Sequence, residues 1–146
     1  MNVVAQEPIE KSQPFAVPFR VENSGYFSFR LERAFCYISE VHGREITVLD
    51  FPYHDREWDH HTLDRNEAET VLCNVMHVRG VPDSADIAIV LDYRPWQSFP
   101  WTFRRYFRFK GAYVDSWQWL KQPSEPIQEA ADHAVERLMR KLPDSR

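Results

Sequence analysis

Glycine is scarce in this chain, at 4 of 146 residues, and cysteine scarcer, at 2. So few glycines leave no glycine-rich loop to cradle a phosphate and no nucleophile elbow. Two cysteines cannot build the dense disulfide framework of small secreted scaffolds, and no paired CxxC offers a thiolate metal site. HExxH is absent, as is any internal repeat or low-complexity tract. No apolar run approaches the roughly 18 residues that a membrane-crossing helix needs. The opening MNVVAQEPIEKSQPF lacks both a basic leader and an apolar stretch of signal-peptide length. Taken as written, the chain is expected in the cytoplasm; an upstream anchor removed from it would instead place it facing the cell envelope.

What the chain does have is aromatic mass: 10 Phe, 6 Tyr and 5 Trp, or 14% of residues. Aromatic side chains fit a pleated, half-buried surface and glycine weakens it, so the composition tilts towards β-structure. A chain of 146 residues suits one domain large enough to fold without metal or disulfide. The formal charge is −4, which argues against a general polyanion binder. Charge is nevertheless uneven. Residues 50–69 carry seven acids against Arg56 and Arg65, a local −5, while residues 101–110 carry Arg104, Arg105, Arg108 and Lys110 with no acid, a local +4.

Residues 1–14 show no periodicity and are expected as a flexible lead-in. From Phe15 to residue 122, apolar residues alternate with period two, as half-buried strands require. Phe15, Val17, Phe19 and Val21 share one side, and Pro18, lacking a donor, suggests an edge strand. ENSG turns the chain into Phe27, Phe29 and Leu31. The alternation slips at 32–33, which predicts a bulge or bend. HGRE and VPDSA read as further turns, TVLCNVMHV as a central strand, and RPWQSFP as a loop. Residues 101–109 put Trp101, Phe103, Phe107 and Phe109 on one side, with a mostly basic opposite face carrying Arg104, Tyr106, Arg108 and, next along, Lys110. About seven short strands with turns between them predict a mainly β, antiparallel sandwich. A helix is expected only at 124–142, packed on the sandwich. There Ile127, Ala130, Ala131, Ala134, Val135, Leu138, Met139 and Leu142 form one apolar stripe, Ser124 caps, and Pro126 suits the first turn.

Four sets of residues invite a functional reading. EWDHHTLDRNEAET, read as a polar loop, offers His54, Asp59, His60, His61 and Asp64 as ligands for a zinc ion. Adjacent histidines converge on one ion only if the backbone bends there. That set would support a metal-dependent hydrolase; its bland alternative is a solvated acidic loop, and no cofactor is expected. Tyr53, Trp58, Trp96 and Trp101, in or beside loops, could anchor a partner protein or stack on a sugar ring. RRYFRFKGAYV could track phosphates with Tyr106 stacking a base, but the terminal placing of the one helix does not fit an RNA-recognition fold, and a half-buried strand with a basic outer face is the preferred reading. Cys36 and Cys73 would pair in an oxidising compartment and sit as small buried hydrophobes in the cytosol.

The run from FRVENSG through LDRNEAETVLCNV to ADIAIVLDYR resembles immunoglobulin-like β-sandwich domains of bacterial cell-envelope proteins, over roughly residues 15–120. In that family a strand ending in an asparagine turn leads the fold, and an acid-rich turn precedes a central strand. The antibody Cys-Trp-Cys framework is absent, with only Trp58 between the two cysteines, and neither has the corner tyrosine two residues before it. The resemblance implies a module that binds or scaffolds. A non-enzymatic protein-interaction or scaffolding role is the expectation, with the hydrolase and a carbohydrate-binding sandwich as alternatives.

Overall fold

The structure is a computed structural model, and it describes residues 1–7, 17–48, 53–73, 78–96, 98–115 and 117–141, with the side chains of 48, 53–60, 78 and 79 left aside. Eight strands and one helix follow in order: β1 (Asn2–Ala5), β2 (Pro18–Glu22), β3 (Phe29–Val48), β4 (Tyr53–Leu63), β5 (Ala68–Leu72), β6 (Val78–Arg94), β7 (Phe103–Tyr113), β8 (Trp117–Gln122) and α1 (Glu125–Lys141). They build a three-stranded sheet, β1-β2-β5, and a five-stranded sheet, β4-β3-β6-β7-β8, in which every adjacent pair is antiparallel. The mainly β, two-sheet sandwich with a C-terminal helix is therefore the architecture of this chain.

Between the sheets lies the main core. Phe19 and Val21 of β2, Leu31 of β3, Ile87, Ile89 and Leu91 of β6, Phe109 of β7 and Trp117 of β8 are all at most 2% exposed. Phe19 packs its ring 5.0 Å from Phe109 and 5.9 Å from Trp119, tilted or edge-on, as aromatic quadrupoles prefer. Gly111 permits this corner: a methyl group there would come within 2.8 Å of both Trp117 and Trp119.

The five-stranded sheet is covered on its other face as well. Phe35, Ala88 and Val90 pack against Ile127, Ala131 and Val135 of α1, with Tyr37, Tyr106, Leu138 and Met139 around them. The helix needs this face, because a helix of 17 residues is only marginal alone in water. Its first turn is acidic and its last basic, and Ser124 Oγ accepts a hydrogen bond from Gln128 Nε2 at 3.1 Å.

Several strand assignments differ from the periodicity. Residues 2–5 form a strand; by pairing with β2 they make β2 the middle of its sheet, so Pro18 sits at a strand's first residue instead of on an edge strand. TVLCNVMHV is not one central strand: β5 ends at Leu72 on the edge of the smaller sheet, and residues 74–77 lie outside those described. HGRE and VPDSA do not reverse the chain. They lie opposite each other, Gly43 beside Pro82 and Arg44 beside Val81, with register shifts on both sides. Gly80 (φ 110°) and Glu45 (φ 55°) take left-handed backbone there, and a Cβ on Gly80 would meet the Glu45 carbonyl oxygen at 2.6 Å. Turn residues thus became paired irregularities within two long strands. The slip read at 32–33 falls where β3 shifts register against both β4 and β6, between Leu31 and Arg33.

Cys36 of β3 and Cys73, just past β5, are joined by a disulfide across the two sheets, with Cα atoms 5.7 Å apart and both residues 1% exposed. Because the bridge closes a separation of 37 residues, it restricts the unfolded chain. Its loss through Cys36→Ala with Cys73→Ala is expected to cost about 3–4 kcal/mol. Denaturant unfolding of oxidised wild type against the double variant measures this directly, and equal midpoints would contradict it.

Candidate interaction surface

Three connections meet at one end of the sandwich. They are the β2–β3 loop (23–28), the β4–β5 turn (64–67) and the β6–β7 loop (95–102). The register brings them together: Phe29 lies opposite Leu63, and Arg30 opposite Arg94. Asn23, 2% exposed, ties the first two. Its Nδ2 donates to the carbonyls of Phe27 and Leu63, both at 2.9 Å, and its Oδ1 accepts from the Gly25 amide at 3.0 Å. Its own backbone N–H donates to Glu67 O and its carbonyl accepts from Asn66 N, each at 3.0 Å. A buried amide with these partners leaves no free donor on its side chain, and it fixes the loops instead of loosening them. Asn66 itself takes positive φ (66°), a conformation that asparagine tolerates.

The third loop is ordered by its own rings. Phe99 N–H donates to Trp96 O at 3.1 Å, closing a turn. Phe99 sits 5.0 Å from Trp96 and 5.2 Å from Trp101, both edge-on, and stacks 5.6 Å from Phe103. Phe103 meets Tyr93 at 6.0 Å, and Tyr93 meets the core ring of Phe29 at 5.9 Å. An unbroken file of aromatic rings thus runs from the sandwich core out to the loop. Arg94 holds the base of the loop, with Nε 3.1 Å from Glu32 and 3.4 Å from Thr102 Oγ1.

The outer members of this end face solvent: Tyr26 is 81% exposed, Phe27 82%, Trp101 66%, Trp96 54% and Phe103 43%. Arg65 lies 4.8 Å over the Tyr26 ring. Single exposed apolar residues need no explanation, but five large aromatics gathered at one end do. Phe99 contacts both indoles and Phe103, so the rings of this loop form one packed ridge.

The residues singled out from sequence divide accordingly. Trp96 and Trp101 join in this ridge. Tyr53 and Trp58 lie on β4, with side chains outside those described. The histidine stretch is strand over residues 53–63 and not an open loop, and its pairing with β3 shifts by two residues between Glu57 and His61. His61 Nε2 lies 3.3 Å from Glu69 Oε2, while Asp64 accepts from Ser28 Oγ and its backbone N–H donates to Glu67 at 2.9 Å. The side chains of His54, Asp59 and His60 are outside those described, and no group of three metal-ligating side chains occurs among the described residues.

The basic strand is not an open stripe. Arg104 forks onto Asp92, Nε to Oδ1 at 2.7 Å and Nη2 to Oδ2 at 3.0 Å, while Nη1 reaches Asp132 of α1 at 2.9 Å. Arg108 forks onto Asp86 through Nε at 2.9 Å and Nη2 at 2.5 Å. Hydrogen bonding to Asp92 first, then to Asp132, raises the Arg104 guanidinium further above its ordinary value. Burial first, then Asp132, pushes the Tyr106 phenol up as well. Lys110, 4.0 Å from Asp86, keeps a half-exposed side chain. The arginines neutralise buried aspartates at the helix–sheet seam.

Sequence reasoning passed over Asn23, Asp86 and Asp92. The first stood inside an ordinary turn signal. The two aspartates bracket IAIVL in DIAIVLD, and a carboxylate at each end of so apolar a run was a readable sign that the basic neighbouring strand would supply partners.

Removing the Asn23 amide should free both loops. Asn23→Ala is expected to cost about 1–3 kcal/mol through unsatisfied buried carbonyls, and to speed amide exchange in 24–27 and 64–67 first. Unchanged exchange in both segments would show that other contacts hold them.

No protein-family model, no curated protein and no solved structure matches this chain.

Proposed function

We propose that this chain is a non-enzymatic interaction module that docks another protein through its aromatic end. The reading rests on one observation: Tyr26, Phe27, Trp96, Trp101 and Phe103 are exposed together at one end, on loops held from below by Asn23 and Phe99. Rings already fixed in place lose little entropy on binding, which lets their burial count towards affinity. Trp and Tyr with arginine beside them are the residue types that dominate binding energy at protein interfaces. Arg65 and Arg94 supply that arginine here.

The ridge favours a concave protein surface over a sugar. A protein partner can engage Tyr26 and Phe27, Arg65, and Trp96 and Trp101 on three loops at once, a spread wider than one sugar ring covers. Scaffolding follows from the same design, since the rigid sandwich holds the loops at a fixed separation from α1.

The experiment compares wild type with Trp96→Ala/Trp101→Ala as immobilised baits on extracts of the source cells. A Val81→Ala variant, altered on the remote stretch where β3 and β6 pair, serves as control. A discrete protein is expected to be held by wild type and the control and lost, at least tenfold, by the double variant at unchanged circular dichroism. Equal retention by all three would contradict the role of this end; capture of glycan alone, blocked by free sugar, would favour the carbohydrate reading.

A further inference from the structure

Charge at the aromatic end is unevenly answered. Three carboxylates there have partners: Glu32 takes Arg30 at 2.6 Å and Arg94 at 3.1 Å, Asp64 accepts from Ser28 Oγ, and Glu67 Oε2 accepts from the Asp64 amide at 2.9 Å. Two arginines are held differently. Arg65, in the β4–β5 turn, lies 4.8 Å over the Tyr26 ring, and Arg105 of β7 lies 5.9 Å over the Tyr93 ring. Both are exposed, and among the described residues neither guanidinium meets a carboxylate or makes a hydrogen bond. The contrast runs along one strand. Arg104 and Arg108 fork onto aspartates at the helix seam, whereas Arg105 stands opposite Leu91, on the face away from α1 and two residues from the exposed Phe103.

A ring face holds a cation without neutralising it. The contact steadies the side chain, and the planar guanidinium keeps its N–H donors for a carboxylate, which it can grip with two parallel hydrogen bonds.

We infer, resting on the docking role proposed above, that the partner segment carries carboxylates beside large apolar side chains, and that Arg65 and Arg105 select it. The exposed rings take the apolar side chains; the two arginines set the sign of the charge between them. A basic segment would place like charges together, which costs several kcal/mol. An uncharged apolar segment would cover two guanidinium groups and give them no acceptor, which is also unfavourable. An acidic apolar segment answers both. The net charge of −4 does not oppose this, because exposed charges beyond about 8 Å are largely screened at physiological salt. A uniformly anionic surface fits less well: Asp64 and Glu67 are exposed beside Arg65, and a field of phosphates would press on them too. Discrete carboxylates on a peptide avoid these acids and still reach the arginines.

Selection of random phage-displayed peptides on the immobilised full chain reads this chemistry with no partner in hand. Wild type is expected to enrich peptides that set Asp or Glu next to Phe, Leu or Trp. Arg65→Gln/Arg105→Gln should keep the apolar enrichment and lose the acidic one, while Trp96→Ala/Trp101→Ala should lose the apolar one. Fluorescence anisotropy with the best wild-type peptide should then show binding about tenfold weaker for the arginine variant, at unchanged circular dichroism. Acidic enrichment that persists on the arginine variant would overturn the inference and leave the docking role standing. Wild-type peptides rich in lysine, or without charge preference, would do the same. A wild type that enriches no peptide, or that sediments with phosphatidylglycerol vesicles instead, would count against protein docking at this end and overturn both.

Discussion

Burial of β6 on both faces organises this molecule. From Ala85 to Leu91 its odd-numbered residues, Ala85, Ile87, Ile89 and Leu91, enter the core between the sheets, while Ala88 and Val90 face the helix. Such a strand has no solvated side on which to place charge, yet Asp86 and Asp92 sit on its helix-facing side at only 6% and 5% exposure. Uncompensated, a buried carboxylate would cost several kcal/mol or give up its charge. The neighbouring strand provides the compensation: Arg104 lies directly opposite Asp92, and Arg108, opposite Ala88, reaches diagonally to Asp86. The two forks bracket the apolar patch that α1 covers, and Arg104 extends to Asp132 on the helix itself. Register of β6 against β7, placement of the helix and the absence of an open basic face all follow from this arrangement.

Much of this could be read in the sequence, and the parts that could not have physical reasons. Period-two alternation gave the sandwich, and the apolar stripe from Ile127 to Met139 gave the helix, because both are local patterns that burial enforces. The slip at 32–33 was legible for the same reason. HGRE and VPDSA misled because glycine and proline signal a departure from regular backbone without saying whether the chain reverses; pairing between distant segments decided that. β1 was invisible: NVVA is too short to show a period, and its strand character comes from the partner β2. The basic strand misled in another way. Alternation placed Arg104, Arg108 and Lys110 on one face correctly, but whether that face meets water or a helix depends on where α1 docks.

The candidate site was legible in part. Trp96 and Trp101 stood out as aromatics in a loop rich in proline. Their joining through Phe99, and the gathering of Tyr26 and Phe27 at the same end, depend on strand register and on Asn23. His60 and His61 drew attention as a pair; that they lie on a strand whose pairing shifts between Glu57 and His61 depends on β3, which the local pattern does not carry. The chain thus places its deepest burial in the doubly covered sheet and gathers five exposed aromatic side chains at the loop end. A body fixed by buried ion pairs and an inter-sheet disulfide can carry exposed aromatics without collapsing around them.

The third layer is the most direct point of attack on this account. Amide hydrogen exchange followed by NMR at single-residue resolution should find residues 85–91 of β6 and the buried positions 127, 131, 134 and 135 of α1 opening together, with protection near that of global unfolding. A helix that exchanges like an isolated peptide while β6 stays protected would contradict it.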